Sequence, residues 1–276
     1  METKELKKLC VDVRKDIINM TADAKSGHPG GSLSAVEILV SLYAQIMKCD
    51  AKNPKMKDRD RFVLSKGHAA PALYGILGEL GYFEKEEFQN FRQLHSILQG
   101  HPDCKKCPGV EASTGSLGQG ISIATGMALG LKLQNENSKV YTLVGDGEIQ
   151  EGIAWEACMA AAKFELDNFT VIVDNNGLQI DGTNDQVMPL GDLKAKFQAF
   201  GFDVIELEDG NNIQDVLKAL QEPVVQFKPR CIIAHTVKGK GISFMENQVG
   251  WHGKAPTEEE RKLALEELEQ AMEELR

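Results

Sequence analysis

Apolar residues form two kinds of pattern along the chain. Short runs rich in β-branched residues predict buried strands at 61–65, 139–144, 169–173, 203–207 and 230–234. Longer stretches, in which apolar positions recur every three or four residues, predict helices at 4–24, 34–47, 117–133, 152–164, 213–220 and from 257 onward. Strands that are apolar throughout and alternate with helices indicate an α/β fold, with a mainly parallel sheet covered by helices on both faces.

Two of the predicted helices carry a distinctive face. Small residues occupy every fourth position of the helix near 117 and form one smooth ridge: Gly118, Ser122, Gly126 and Gly130. Such a ridge packs against a neighbouring backbone, either within the chain or across a subunit interface. In the last helix, apolar residues share one face among glutamates: Leu265, Leu268, Met272 and Leu275. That stripe must dock on its own domain or on a partner.

Length and charge narrow the classes of function. A chain of 276 residues, 42% of them hydrophobic, is long enough for one large domain, and we expect residues 1–276 to form one. The net charge of -10 and the lack of a basic stripe argue against nucleic-acid binding. The charged start, Met1 to Lys8, and the lack of an apolar run of about 18 residues predict a protein that is neither exported nor membrane-spanning, hence cytoplasmic.

Six cysteines are scattered among the predicted helices and strands, which suits reduced thiols in a chain large enough to fold without disulfides. Cys104 and Cys107 form a Cys-x-x-Cys beside His101. This spacing occurs in metal sites and redox pairs, but no second cysteine pair follows. An ordinary loop is the simpler interpretation.

Gly145-Asp146-Gly147 follows a predicted strand and precedes a helix, where a phosphate-binding turn would lie. A dinucleotide-binding Gly-x-Gly-x-x-Gly needs a third glycine at the position of Gln150, and Asp146 would repel a bare diphosphate. A carboxylate suits this place if Mg²⁺ lies between it and the diphosphate. The next strand ends in Asp174-Asn175-Asn176, at the same edge of a parallel sheet. Taken singly, these residues are also explained as a helix cap and a turn.

The segment from Val144 to Asn176, VGDGEIQEGIAWEACMAAAKFELDNFTVIVDNN, resembles the thiamine diphosphate fingerprint, which opens with Gly-Asp-Gly and closes with paired asparagines. In that family the aspartate, the second asparagine and a main-chain oxygen two residues later hold a metal on the cofactor diphosphate. The resemblance implies that Asp146, Asn176 and the carbonyl of Leu178 bind Mg²⁺, or another divalent cation such as Ca²⁺. It also implies that Gly145 and Gly147 contact the cofactor.

Four of the six histidines have a glycine neighbour, which is more than 26 glycines in 276 residues explain by chance: His28, His68, His101 and His252. Glycine permits sharp loops and close approach of a ligand, and histidine exchanges protons near neutral pH. These four are therefore candidates for chemistry. His95 and His235 lack the glycine context, and we interpret them as structural or surface residues.

The histidine loops resemble those of transketolases over residues 24–256. The motifs are SGHPGGSLS, RFVLSKGHAAPALY, GHPD, PGVEASTGSLGQG and VGWHGKAP. The resemblance implies that His68 and His252 lie near the diphosphate. It further implies that His28, His101 and His252 reach the sugar.

The same resemblance places Gly115, Ser116 and Leu117 beside the aminopyrimidine, although Ser116 lies in a loop that varies among transketolases. It also places Glu151 and Glu156 at a subunit interface near the cofactor, and we count Glu151 among the catalytic and cofactor-binding candidates.

The chain differs from the family mainly in its length. A complete transketolase continues into a pyrimidine-binding domain and a C-terminal domain, and this chain ends at Arg276 before either. We expect both on a partner chain, in an assembly of two copies of each subunit. That partner would supply the glutamate that activates the cofactor and most groups that grip a sugar phosphate.

The sequence thus predicts the N-terminal subunit of a transketolase that uses thiamine diphosphate and Mg²⁺, of the kind found in the pentose phosphate pathway. It would move a two-carbon ketol unit from a ketose phosphate to an aldose phosphate. Three alternatives remain: a split enzyme for sulfosugars or branched sugars, another thiamine enzyme such as a 2-oxoacid dehydrogenase subunit or a deoxyxylulose phosphate synthase, and a non-catalytic cofactor-binding module.

Overall fold

The computed structural model describes residues 1–276, and its central element is a parallel sheet. Seven strands occur in chain order: β1 (Arg61–Leu64), β2 (Val140–Gly145), β3 (Phe169–Asn175), β4 (Leu178–Gln179), β5 (Gly182–Thr183), β6 (Asp203–Leu207) and β7 (Arg230–His235). Five of them form one parallel sheet in the order β1-β2-β3-β7-β6, while β4 and β5 form a small antiparallel hairpin. All five strands predicted from the sequence are confirmed.

Ten α-helices surround the sheet: α1 (Thr3–Asp23), α2 (Pro29–Leu33), α3 (Val36–Ser41), α4 (Ala70–Glu79), α5 (Gln119–Leu133), α6 (Gly152–Lys163), α7 (Asn184–Val187), α8 (Leu193–Ala199), α9 (Ile213–Gln221) and α10 (Glu258–Glu274). The helix predicted at 34–47 is divided into α3 and a π-helical turn, Leu42–Ile46. The sequence pattern missed α4, because nine of its ten residues are buried and it has almost no polar face to create a period.

Two hydrophobic cores lie on opposite faces of the sheet. Alternate residues along a strand point to opposite faces, so Phe62 and Leu64 of β1 enter one core while Val63 enters the other. Helices α1, α3, α4, α9 and α10 cover the first face, and α5, α6 and α8 cover the second. The predicted fold class, a parallel sheet with helices on both faces, is confirmed.

The apolar stripe of α10 docks on its own domain. Leu268 is 1% exposed, and the other three stripe residues pack partly buried against the first core. Arg261 of α10 donates to Asn19 and Asp23 of α1, which fixes the two helices side by side. No helix of the chain is both long enough and apolar enough to cross a membrane.

The glycine ridge of α5 packs inside the chain only at Gly118, where an added Cβ would lie 2.6 Å from the side chain of Ile153. A Cβ added at Gly126 or Gly130 would meet no atom within 4 Å. Another close approach occurs at Gly120, where an added Cβ would lie 2.5 Å from the Cα of Ser65. The first turn of α5 therefore touches the end of β1, and Gly126 and Gly130 of the ridge are left facing outward.

A pair of carboxyl groups lies between α1 and α4. Burial raises the pKa of Asp16 to about 8, and neighbouring Glu79 adds to the effect. One carboxyl oxygen of Asp16 is buried without a hydrogen-bond partner. Two carboxyl groups this close share one proton more readily than they both ionise.

The substitution Asp16→Asn should stabilise the chain at pH 8. In the unfolded chain this carboxyl ionises from about pH 4 upward, while in the folded chain it stays protonated until about pH 8. The free energy of unfolding therefore falls across that window, and asparagine removes the loss. We expect the Tm of D16N to exceed that of the wild type by about 2 °C or more at pH 8, with the advantage shrinking toward pH 4.

Thermal unfolding at several pH values checks this expectation, with Asp215→Asn on the exposed side of α9 as the control. A difference between D16N and wild type that does not vary with pH would contradict the shared proton.

Candidate functional site

A cavity of about 360 Å³ opens beyond the carboxyl ends of the sheet strands. Residues that follow β1, β2, β3 and β7 line it, among them Lys66, Asp146, Asn176 and Lys238. Ligands of open parallel sheets bind at this edge. The strand ends that the sequence singled out therefore open into one cavity.

The loops that leave β2 and β3 lie against each other. Gly145 pairs with Asp174 in the parallel register. Asp146 is 3% exposed, and its carboxylate accepts from the backbone N–H groups of Gly147 at 2.8 Å and Gly177 at 2.6 Å. Asn184 donates to the same carboxylate at 2.9 Å. Burial, and next the charge of Asp174, raise the pKa of Asp146.

Three residues with oxygen donors line the part of the cavity where a metal was predicted: Asp146, Asn176 and Leu178. The Oδ1 atom of Asn176 accepts from the backbone N–H of Leu178 at 3.2 Å, which holds the amide at the turn. The chain contains no group of three or more His, Cys, Asp or Glu side chains arranged for a metal. A carboxylate, an amide oxygen and a carbonyl oxygen instead form a hard donor set, which suits Mg²⁺ or Ca²⁺ with diphosphate and water completing the shell.

A buried ion pair lies beneath this set, and sequence analysis missed it. Lys66 and Asp174 have side chains 1% and 0% exposed and form a hydrogen-bonded salt bridge. Asp174 also accepts from Ser34 at 2.6 Å and from Thr236. Burial opposes ionisation of Asp174, but Lys66 and the hydroxyl donors outweigh it and lower its pKa.

Lys238 is a second buried cation, 2% exposed, with no carboxylate within salt-bridge distance. Its ammonium group donates to the carbonyl of Leu178 at 2.9 Å and contacts Nδ1 of His252 at 2.8 Å. Burial, and next the charge of Lys66, lower the pKa of Lys238 to about 8. Lys66 lies two residues after the end of β1 and Lys238 three residues after the end of β7, which is the signal that the sequence offered.

Three of the four predicted histidines form one cluster. The ring centroids of His28, His68 and His252 lie 5.2–5.6 Å apart. The loop of His252 can approach because residue 30 is glycine: a Cβ there would lie 2.8 Å from the carbonyl oxygen of Trp251. Since an ammonium group only donates, Nδ1 of His252 accepts from Lys238, and Nε2 carries the proton.

The cluster disfavours positive charge. Burial lowers the pKa of His28 to about 4, with Arg92 and His101 as further causes. Burial, and next Lys238, lower the pKa of His252 to about 3. Burial and then Lys66 lower the pKa of His68 well below its usual value. All three imidazoles are therefore neutral at pH 7, each with one N–H to donate and one ring nitrogen to accept a hydrogen bond, and the proton exchange near neutral pH that the sequence suggested is disfavoured.

The remaining predicted residues divide into two groups. Gly115, Leu117, Gly145, Gly147 and Glu151 line the cavity. His101 and Ser116 are exposed and lie outside the lining, although His101 packs against Gly115 at its rim. Glu156 is exposed on α6, away from the cavity. His235 is bound to Glu206 and Asn175 outside the cavity, in line with the structural interpretation.

The Cys-x-x-Cys does not form a reactive pair. Cys104 is exposed and Cys107 is buried, and all six cysteines are unpaired. Burial raises the pKa of Cys107 to about 12, so this thiol is protonated and a poor metal ligand at neutral pH.

The three clustered histidines should remain neutral in the folded chain at pH 5.5. We expect long-range proton–nitrogen NMR spectra to show the neutral form of His28, His68 and His252 at this pH, while the same rings in urea-unfolded protein titrate near pH 6.5. Because only the unfolded chain takes up these protons, the free energy of unfolding should fall as the pH drops below about 6.5. A folded-state midpoint near pH 6.5 for any of the three would contradict the described packing.

Comparison with known proteins places this geometry in a family. Residues 6–272 match the family described as transketolase, thiamine diphosphate binding domain. An apulose-4-phosphate transketolase subunit of Phocaeicola vulgatus is 41% identical over 263 residues, covering 95% of this chain and 93% of the relative. The 6-deoxy-6-sulfo-D-fructose transketolase subunit SqwG of a Clostridium species is 42% identical, covering 93% of this chain and 94% of the relative.

A solved structure shows the same fold, and full-length transketolases also match in sequence. The fold matches transketolase from Campylobacter jejuni with a TM-score of 0.91 and 35% identity, over 100% of this chain but 46% of that one. Human transketolase is 39% identical over 88% of this chain and 38% of its own length. The chain thus spans less than half the length of these transketolases. On this agreement of sequence and fold, the chain belongs to the transketolase family and contains its thiamine diphosphate-binding domain.

Proposed function

We propose that the chain is the cofactor-binding subunit of a split transketolase. It binds thiamine diphosphate with Mg²⁺ and moves a two-carbon ketol unit from a ketose phosphate to an aldose phosphate when joined to a partner subunit. The observation that carries the proposal is that one cavity is lined by Asp146, Asn176 and Leu178 together with two buried lysines and three neutral histidines. The six unpaired thiols fit a reducing, cytoplasmic setting.

The metal end of the cavity supports binding of a diphosphate. The Asp146, Asn176 and Leu178 oxygens would hold the cation, and Gly145 and Gly147 allow the backbone to approach the phosphates. Lys238 has no carboxylate within salt-bridge distance, so a negatively charged diphosphate oxygen would pair with its ammonium group. A cation between carboxylate and diphosphate also offsets the charge that raises the pKa of Asp146.

The histidine end supports hydrogen bonding to substrate oxygens. When bound, thiamine diphosphate supplies the electron sink that lets a ketose C2–C3 bond break. The Nε2–H of His252 would donate a hydrogen bond to a substrate oxygen, while His28 and His68, being neutral, would each accept a hydrogen bond from a substrate hydroxyl. His101 at the rim and Glu151 at the mouth would act on the sugar and at the subunit boundary.

The partner subunit is inferred from apolar side chains that are exposed on this chain and from the names of its relatives. Leu117, Ile123 and Met159 are apolar and 36%, 39% and 62% exposed near the cavity mouth and along α5 and α6. The relatives that this chain matches end to end are named as transketolase subunits. We propose that a pyrimidine-binding subunit covers this surface and that two copies of each subunit assemble.

The sugar is set partly by the proposed partner. Relatives named for apulose 4-phosphate and for 6-deoxy-6-sulfo-D-fructose show that subunits of this length serve different sugars. The proposed substrate class is therefore tested with a panel of ketose phosphates, branched sugars and sulfosugars on the two-chain complex.

Asp146→Ala should abolish metal-dependent cofactor binding. Losing one partner of a buried charged contact costs roughly 2–5 kcal/mol, so the affinity for thiamine diphosphate in the presence of Mg²⁺ should fall by about 100-fold. Isothermal titration with and without Mg²⁺ measures the change on the chain alone and with its partner.

The matched control is Asp185→Ala, which removes an exposed carboxylate outside the cavity. Binding by D146A that equals that of the wild type would remove Asp146 from the metal site. Absence of binding by the wild type, alone and with the partner, would refute the proposed function.

Gly126→Glu should block assembly while leaving the fold intact. Nothing lies within 4 Å of a Cβ at this position, and replacing a helical glycine gains up to about 1 kcal/mol of helix stability. We therefore expect an unchanged or raised Tm and unchanged cofactor binding by the isolated chain, but a complex at least tenfold weaker, measured by analytical ultracentrifugation.

Gln214→Glu, which adds the same charge on α9 across the sheet, should assemble normally. Equal assembly of both variants would show that the α5 ridge is not the partner surface.

A further inference from the structure

Glu148 is a buried carboxylate at the cavity wall with no part in the proposed metal binding or in the proposed hydrogen bonding to substrate. It begins the 3₁₀ turn Glu148–Gln150 after β2, is 2% exposed and lines the cavity. Its two oxygens accept three hydrogen bonds. Ser65 Oγ donates to Oε1 at 2.5 Å, the N–H of Gly118 donates to Oε1 at 2.9 Å, and the N–H of Gly145 donates to Oε2 at 3.0 Å.

The three donors come from three separate segments of the chain. Ser65 follows β1, Gly118 caps the N-terminus of α5, and Gly145 ends β2. Each donor is the immediate neighbour of a residue that lines the cavity. Ser65 precedes Lys66, Gly118 follows Leu117, and Gly145 precedes Asp146. One carboxylate therefore fixes the relative positions of the buried lysine, the Leu117 loop and the acidic turn.

We propose that Glu148 is a positioning residue that holds these three segments at the spacing that binds the cofactor. This inference rests on the proposed function, since the spacing matters only if the cavity takes thiamine diphosphate and its metal. Glu148 acts through its neighbours and touches no reacting atom. Its effect is on cofactor affinity, because binding to a loosened site must first restore the spacing.

The chemistry of the three bonds explains why a carboxylate is required. An ionised carboxyl group is an acceptor at both oxygens and serves all three donors. Glutamine has the same shape but presents an NH₂ group where Oε2 now accepts, so it would set a donor against the N–H of Gly145 or of Gly118. Two of the three segments would stay joined, and the third would be released.

The test compares Glu148→Gln with Glu79→Gln, the same substitution at a carboxyl at the far end of α4. Substitutions of residues that orient the ligands of a metal cost about 10–100-fold in affinity. We expect E148Q to bind thiamine diphosphate with Mg²⁺ about 10–100-fold more weakly than the wild type in isothermal titration, and E79Q to bind it normally. Amide hydrogen exchange of Gly118 and Gly145 should be faster in E148Q and unchanged in E79Q, in the absence of cofactor.

Ser65→Ala provides a milder variant that keeps Glu148 in place and tests the inference if E148Q folds poorly. It should weaken cofactor binding by about 3–10-fold. Since S65A and E148Q disrupt a shared contact, the double variant should lose less affinity than the two losses combined.

E148Q or S65A binding the cofactor as well as the wild type, or fully additive losses in the double variant, would overturn the positioning role. Failure of the wild type itself to bind thiamine diphosphate would instead refute the proposed function. The amide exchange measurements would then still report whether Glu148 joins the three segments.

Discussion

The salt bridge between Lys66 and Asp174 is the interaction on which the site depends. Removing two charges from water costs several kcal/mol for each ion, and their attraction offsets this only when the remaining donors and acceptors are satisfied. Ser34 and Thr236 donate to Asp174, and Lys66 also donates to the carbonyl of Gly31 at 2.8 Å. These partners come from β1, β3, α2 and the end of β7. The pair is stable only when all four segments are in place, so it holds together the floor of the cavity.

The walls of the cavity contain buried charged groups that have no partner of opposite charge within salt-bridge distance. Burial, and next the charge of Asp174, raise the pKa of Asp146, and Lys238 is buried without a carboxylate within salt-bridge distance. The three histidines are kept neutral by burial and by the lysines. Such an arrangement costs stability in the free protein, and the large cores on both sides of the sheet offset that cost. A bound cation and diphosphate would relieve it and stabilise the folded state by mass action.

The outer surface of α5 and α6 also has exposed apolar groups that no other part of the chain covers. Most apolar side chains of the chain are buried in the two cores, whereas Ile123 of α5 and Met159 of α6 are exposed, and no atom of the chain lies within 4 Å of a Cβ added at Gly126 or Gly130. This surface continues to Leu117 and Glu151 at the cavity mouth. Any chain that packs on it would also close the cavity, so assembly and exclusion of water from the site would be one event.

The sequence by itself determined the five sheet strands, the helices on both faces and the edge at which the acidic turn and the asparagines meet. It could do so because the residues of a strand or helix that face a core are apolar and recur with the period of that element. The patterns gave no sign of α4, which is buried on nearly every side. Local sequence also singled out His28, His68 and His252 through their glycines. Only the tertiary structure decided that these rings touch one another, that His101 and Ser116 stay outside the cavity, and that Gly126 and Gly130 of the α5 ridge face outward. It alone showed the roles of Lys66, Glu148 and Lys238. A charged residue next to a strand end looks the same in a sequence whether it is solvated or buried, since its partners lie tens of residues away along the chain and are brought to it only by the strand order of the sheet.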